Sequence, residues 1–231
     1  MTKRTPYRLG LTLGVALVLG FGLGMLMPES SNHEKNETNY RHLDAEIKNL
    51  SGFTRPQPIT GLTVNGDPVA LNGPFLTVGS TLTNSILDKP SATFDAVQSL
   101  KLSDLSGFVL IHTVPSLDTP VCTAQTKMLE RAAVHFSGIT FAIISHDTPF
   151  ALQRFCGDNT ISNLFILSDA RLKDFGTKNG FIMSGYNLLT RAIMIIDDTQ
   201  TIRYIDYGGE VTSPLDIYNA LGALKSLTQK Q

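Results

Sequence analysis

The run Phe108-Val109-Leu110-Ile111-His112-Thr113-Val114, continued by Pro115-Ser116-Leu117-Asp118-Thr119-Pro120-Val121-Cys122, decides how this chain is read. Its first seven residues have the apolar, β-branched composition of a buried strand. The residues after it, Thr123-Ala124-Gln125-Thr126-Lys127-Met128-Leu129-Glu130-Arg131-Ala132-Ala133, read as a helix. A cysteine therefore stands where a loop turns into a helix. Helix N-termini carry unpaired N–H groups and the positive end of the dipole, so a thiolate there is favoured over a thiol and is the reactive form. Pro115 and Pro120 restrict the loop backbone. Thr119, three residues before Cys122, can turn its hydroxyl toward the sulfur or toward what the sulfur attacks. A lone cysteine at a helix start is also commonly a small buried hydrophobe, and position alone leaves both readings open.

Outward from this stretch the strand–helix alternation repeats. Thr140 to Ser145 reads as a strand leading to a helix over residues 149–156, and Leu164 to Leu167 as a strand leading to a helix near 170–179. Arg191 to Ile196 reads as a strand turning at Asp197-Asp198 into a strand over Thr201 to Ile205. A last amphipathic helix is expected from Ser213, capping before Pro214, to about Leu227. Upstream, Leu62 to Leu71 alternates around Asn65-Gly66, a hairpin signal. Residues 74–104 are broken by Gly, Pro and Ser, with a short strand expected near Phe94 to Gln98. Alternating strands and helices predict an α/β fold with a central sheet flanked by helices. The closing hairpin makes that sheet mixed, and a second hairpin precedes it.

The N-terminus is different in kind. Lys3, Arg4 and Arg8 precede Leu9 to Met27, which carries no charge. The pattern is that of a signal peptide or a single membrane anchor. No Ala-x-Ala precedes Pro28, which favours an uncleaved anchor over a cleaved, secreted form. Lys and Arg on the N-terminal side put that end in the cytoplasm and the rest outside it. The expected division is an anchor or signal segment over 1–28, a polar linker over 29–58 and one folded domain over 59–231.

A domain of about 170 residues can bury roughly 70% of its unfolded surface, so it needs neither metal nor disulfide to fold. Nineteen Lys and Arg against twenty Asp and Glu leave a net charge of −1, and nothing in that balance favours nucleic acid. Two cysteines, Cys122 and Cys156, exclude a disulfide-dense scaffold and a Cys₄ metal site. They remain compatible with one structural disulfide. The five histidines, His33, His42, His112, His135 and His146, show no ligand spacing, and His112 reads as packed within its strand. Asp147 and Asp169 follow strands, where acids commonly cap the next helix. No Gly-rich phosphate loop, Walker motif or Cys-x-x-Cys is present.

The pattern Pro-x-x-x-Thr-x-x-Cys at a strand-to-helix junction resembles the active site of the peroxiredoxins. The longer string Pro-Ser-Leu-Asp-Thr-Pro-Val-Cys is similar to their thiol peroxidase branch, the atypical two-cysteine peroxiredoxins. Arg154-Phe155-Cys156 resembles that branch's second-cysteine segment, and Leu188-Leu189-Thr190-Arg191-Ala192-Ile193 its arginine-bearing strand. The separation 156 − 122 = 34 is also the branch's spacing. The likeness spans roughly residues 60–228 and leaves the N-terminal stretch outside it. It implies a thioredoxin-like fold with an N-terminal β-hairpin. It implies Cys122 as the thiolate that attacks peroxide, Thr119 and Arg191 as polar groups around it, and Pro115 as a shield against water. Cys156 would resolve the sulfenic acid to an intrachain disulfide, with one helical segment unwinding to bring the sulfurs together. A thioredoxin-type dithiol protein would re-reduce that disulfide. No bound cofactor or metal is implied, and a homodimer is allowed. Two other readings stand beside this one: a tethered thiol–disulfide oxidoreductase acting on protein cysteines, and a non-catalytic domain with a structural disulfide.

Overall fold

The computed structural model describes residues 44–229, apart from Lys48 and Ser51. Its frame is a seven-stranded sheet built from β3 (Ile86–Asp88), β4 (Ser99–Lys101), β5 (Val109–Thr113), β6 (Thr140–Ser145), β7 (Phe165–Ser168), β8 (Ala192–Ile196) and β9 (Ile202–Tyr207). Their spatial order is β4-β3-β7-β6-β5-β8-β9. Strands β5, β6 and β7 are parallel, while β8 runs antiparallel to β5 and pairs with β9 as a hairpin. The sheet is mixed, as expected. Ahead of it, β1 (Leu62–Val64) and β2 (Asp67–Val69) form the expected small hairpin. Asn65 and Gly66 both have positive φ, 52° and 86°, the backbone that a tight two-residue hairpin demands. The Glu210 carboxylate accepts both of their N–H groups at 3.0 Å.

The decisive strand, β5, lies inside the sheet and is buried at every position. Its side chains alternate between two cores. Leu110 joins a cluster with Phe141, Ile143, Ile166, Ile193 and Ile195, together with residues of helices α1 (Pro120–Ala133), α2 (Pro149–Asn159) and α4 (Ile217–Thr228). Val109 and Ile111 join the opposite cluster, which includes Phe175 of the short helix α3 (Asp174–Asn179).

Several boundaries differ from the sequence reading; among them, the helix expected near 170–179 begins only at Asp174. Residues 94–96 form a 3-10 turn and the strand comes later, at Ser99–Lys101, because the register Leu87↔Leu100 puts an apolar side chain into the core. Helix α4 starts at Ile217 with Asp216 as its cap, not Ser213. The Asp216 carboxylate takes the Asn219 N–H at 3.0 Å, and the Leu215 carbonyl is committed to Gln125 Nε2 at 2.8 Å. Helix α2 runs on past the expected end at Cys156 to Asn159, so Gly157, Asp158 and Asn159 are helical. It stops only at Thr160, left-handed at φ 54°.

The expected anchor, residues 9–27, lies outside the described residues. Among the described residues no helix is long and apolar enough to cross a membrane. The last part of the polar stretch before Ile59 packs on the domain. Ile47 is buried in the α1–α2–α4 core, Lys225 Nζ donates to the Leu50 carbonyl at 2.9 Å, and Asn219 makes paired hydrogen bonds with the Thr54 backbone.

Candidate active site

Strand β5 ends in the sheet interior, and the chain leaves it at Pro115. The loop that follows is bound to itself and to its neighbours. Ser116 Oγ donates to Asp147 Oδ1 at 2.7 Å, and the Leu117 N–H donates to Asp147 Oδ2 at 2.7 Å. Thr123 Oγ1 donates to the Leu117 carbonyl at 2.7 Å. Helix α1 then opens with Thr119 at the cap position and Pro120 as its first residue, where the missing proline N–H costs nothing. Cys122 is the third helical residue and is fully buried.

Arg191, just before β8, meets this sulfur from the other side. Its Nη2 donates to Cys122 Sγ at 3.4 Å. Its Nε donates to the Val211 carbonyl at 2.8 Å and its Nη1 to Gln125 Oε1 at 3.2 Å. The side chain is only 2% exposed. Every protein acceptor around it other than the sulfur is neutral, and it forms no ion pair among the described residues. The guanidinium therefore faces the sulfur as a buried cation with no acid beside it, placed to meet negative charge that develops there.

The Thr119 hydroxyl donates to the Ser116 carbonyl at 3.0 Å, not to the sulfur. Its oxygen thereby keeps its lone pairs for an incoming donor. Pro115, Thr119 and Arg191 line one cavity of about 280 Å³, closed by Val64, Tyr186 and Leu188 among others. Four of the five candidate residues, Cys122, Thr119, Arg191 and Pro115, are thus gathered at one place.

Cys156 is the exception. Both cysteines are free thiols. Cys156 sits in the last turn of α2, half-buried against the core that contains Cys122. Burial pushes its thiol pKa up, and the charge of Glu130 pushes it further in the same direction.

His112 is packed, as expected. It is fully buried, with Nδ1 at 2.9 Å from the Ala192 carbonyl. Burial, helped by the charge of Arg191, brings its pKa down to about 4, so the ring is neutral at neutral pH. Asp169 caps α3 as expected, accepting from the N–H groups of Phe175 and Gly176 at 2.9 and 2.8 Å. Asp147 does not cap α2. Thr148 does, accepting from the Ala151 N–H at 3.3 Å, and the Asp147 carboxylate turns back to the Cys122 loop. Gln125 and Val211 complete the site without any motif that marks them in the sequence. Gln125 lies one turn beyond Cys122 on the same helix face, a spacing visible in the sequence. Val211 acts through its backbone carbonyl, for which no side-chain signal exists.

Comparison with known proteins gives the family of the chain. The Redoxin family model matches residues 83–224. A thiol peroxidase from Oceanobacillus iheyensis is 36% identical over 169 residues, 72% of this chain and 99% of the relative. One from Bacillus subtilis is 33% identical over 175 residues, covering 73% and 98%. Among solved structures, a peroxiredoxin-like protein from Aquifex aeolicus superposes with a TM-score of 0.66 at 29% identity, covering 77% of this chain and 99% of that one. A thiol peroxidase from Chromobacterium violaceum, at 20% identity and TM-score 0.64, shares the fold, covering 74% and 98%.

Proposed function

Since the chain belongs to the Redoxin family and is a thiol-dependent peroxidase of peroxiredoxin type, we propose that it reduces hydroperoxides through a sulfenic acid on Cys122. The observation that carries this assignment is the buried Arg191, 3.4 Å from the sulfur and otherwise held only by neutral acceptors. The Cys122 thiolate attacks one peroxide oxygen. The S–O bond forms as the O–O bond breaks, and the second oxygen leaves as hydroxide or alkoxide and takes a proton to become water or alcohol. Arg191 faces the charge as it develops on that oxygen. Thr119 accepts from the peroxide proton, because its own proton is held by Ser116. Pro115 covers the sulfur. The hydrocarbon walls supplied by Val64 and Leu188 favour hydroperoxides with an apolar group over hydrogen peroxide.

Cys156 then attacks the sulfenic sulfur. An S–S bond replaces the S–O bond, and the departing hydroxide takes the Cys156 proton to leave as water. Two electrons from a thioredoxin-type dithiol protein reopen the disulfide. Residues 9–27 hold this enzyme at a membrane with the domain outside the cytoplasm. That reading is supported by Lys3, Arg4 and Arg8 before the apolar run against the single Lys35 in the early tether after it. The reductant must then act on the same side, itself membrane-linked or supplied with electrons across the membrane.

The test is peroxide consumption with dithiothreitol as reductant, using hydrogen peroxide and an aromatic hydroperoxide in parallel. Cys122→Ser is expected to abolish both activities. Retention of half the wild-type rate would remove Cys122 as nucleophile.

A further inference from the structure

Helix α2 carries Cys156, and each end of it is tied by a carboxylate to an element that holds Cys122. At its start, Asp147 takes Ser116 Oγ, the Leu117 N–H and Ser145 Oγ at 2.7–2.8 Å. The Asp147 carbonyl takes Ser168 Oγ at 2.6 Å, which fixes the backbone as well. Ser116 passes this hold to Thr119 through its carbonyl. Past its end, Glu130 on α1 takes the N–H groups of Ser162 and Asn163 at 3.0 and 3.1 Å, and their side chains at 3.2 and 2.7 Å. Glu130 is itself 9% exposed. The helix between these ties is held without a buried charge: a threonine cap, the Ser91 N–H on the Pro149 carbonyl at 3.0 Å, the Phe94–Phe150 ring contact at 4.5 Å, the buried Leu152 and Phe155, and an exposed Arg154–Asp118 pair at 3.8 Å.

We propose that Asp147 and Glu130 are positioning residues for the resolving step, bracketing residues 148–161 so that this segment alone unwinds and delivers Cys156 to Cys122. The proposal rests on the reading of Cys156 as the resolving thiol. Reach allows it. Six residues from Cys156 to Ser162 span up to about 20 Å when extended, and nine back to Asp147 about 30 Å. The sulfur can therefore leave the helix while both anchors stay in place. Leaving also takes Cys156 away from the burial and from the Glu130 charge that hold its thiol protonated. The S–S bond then forms at the Cys122 sulfur as hydroxide departs with the Cys156 proton as water.

Removing the Glu130 anchor lets the free tether run on to β7, from six residues to about nine. Effective concentration falls as the −3/2 power of tether length, so disulfide formation slows about twofold. Sulfenic acid that waits longer is oxidised further to sulfinic acid. The experiment uses the purified full chain and two readouts: the rate of Cys122 oxidation by limiting peroxide, and the share of Cys122 sulfinic acid per turnover by intact mass. Glu130→Ala should double the sulfinic share with an unchanged oxidation rate. Glu130→Gln, which keeps an acceptor oxygen and is the milder variant, should fall between it and wild type. Asp147→Asn should raise the share and also slow the oxidation rate, because Thr119 loses its support. Ile217→Val, a core control in α4, should lower the melting temperature without moving either readout. An unchanged or lowered sulfinic share in both Glu130 variants overturns the proposal, as does an equal rise in the control. If Cys156→Ser overoxidises no more than wild type, the resolving role of Cys156 itself has failed, which is a separate and distinguishable result.

Discussion

Arg191 shows how one side chain acquires its role from what is missing around it. Arginine cannot shed its proton in a protein, and here it is buried with carbonyl and amide oxygens as its protein acceptors besides the sulfur. Arg191→Ala is expected to slow the single-turnover peroxide step by about 100-fold, the usual loss when one donor to a developing oxyanion is removed. Alkylation of Cys122 at pH 7 should slow with it. Arg191→Lys keeps the charge but not the fork that reaches Val211 and Gln125, so it should recover only part of the rate. Unchanged turnover and alkylation in the alanine variant would make Arg191 structural. His112, in the same core, makes a different prediction. Its folded-state pKa is about 4 against 6.5 for the free group. Between those values the unfolded chain binds the extra proton and the folded chain does not, so stability is full above pH 6.5 and is lost as pH falls toward 4. The gap corresponds to about 3 kcal/mol. Urea titrations at pH 7 and pH 4.5 should show this loss, and His112→Asn should remove most of it. A wild-type profile flat over that range would contradict the assignment.

At the scale of elements, each helix does a separate job. Helix α1 is stiffened at its start by Pro120 and holds Cys122 on its buried side. Helix α2 offers a second thiol on a segment whose two ends are each tied by a carboxylate. Helix α4 receives the chain that precedes the domain. A Cβ on Gly222 would run into the carbonyl of Gly52, so glycine is what lets that chain lie against the helix. Gly222→Ala should therefore displace residues 49–55, although alanine is the better helix former by about 1 kcal/mol. Limited proteolysis should then cut within residues 49–55 in the variant and spare that stretch in wild type, with peroxidase activity unchanged. Equal resistance in both would mean that the arm has room to shift.

For the whole molecule, the proposed orientation puts a peroxidase where thiols are not kept reduced by cytosolic pools. Protease added outside intact cells or spheroplasts should degrade the domain. Survival there with cleavage only after lysis would place it in the cytoplasm and end the need for an external reductant. Truncation separates tether from fold. Removing residues 1–43 should leave the melting temperature near wild type. Removing 1–58 should lower it, because Ile47 alone contributes about 1.5–3 kcal/mol by burial.

By itself the sequence determined the strand–loop–cysteine–helix junction, the α/β class and the Asn65-Gly66 hairpin, because strand composition, helix caps and turn chemistry are local. It also offered Thr119, Arg191 and Pro115 as partners of Cys122 through a motif that carries its own order. Tertiary structure alone decided what no local signal contains. It turned Asp147 away from α2 and onto the Cys122 loop, set Gln125 and the Val211 carbonyl around Arg191, and joined Glu130 to Ser162 and Asn163 from 32 and 33 residues away. It also drew the polar residues after Asp44 onto the domain. Their composition reads as tether, but a buried Ile47, the hydrogen bonds from Lys225 and Asn219 and a glycine in the facing helix hold them there. Such contacts depend on which surfaces the fold brings within hydrogen-bond distance, and a carboxylate's partner is chosen by that proximity rather than by its neighbours in the chain.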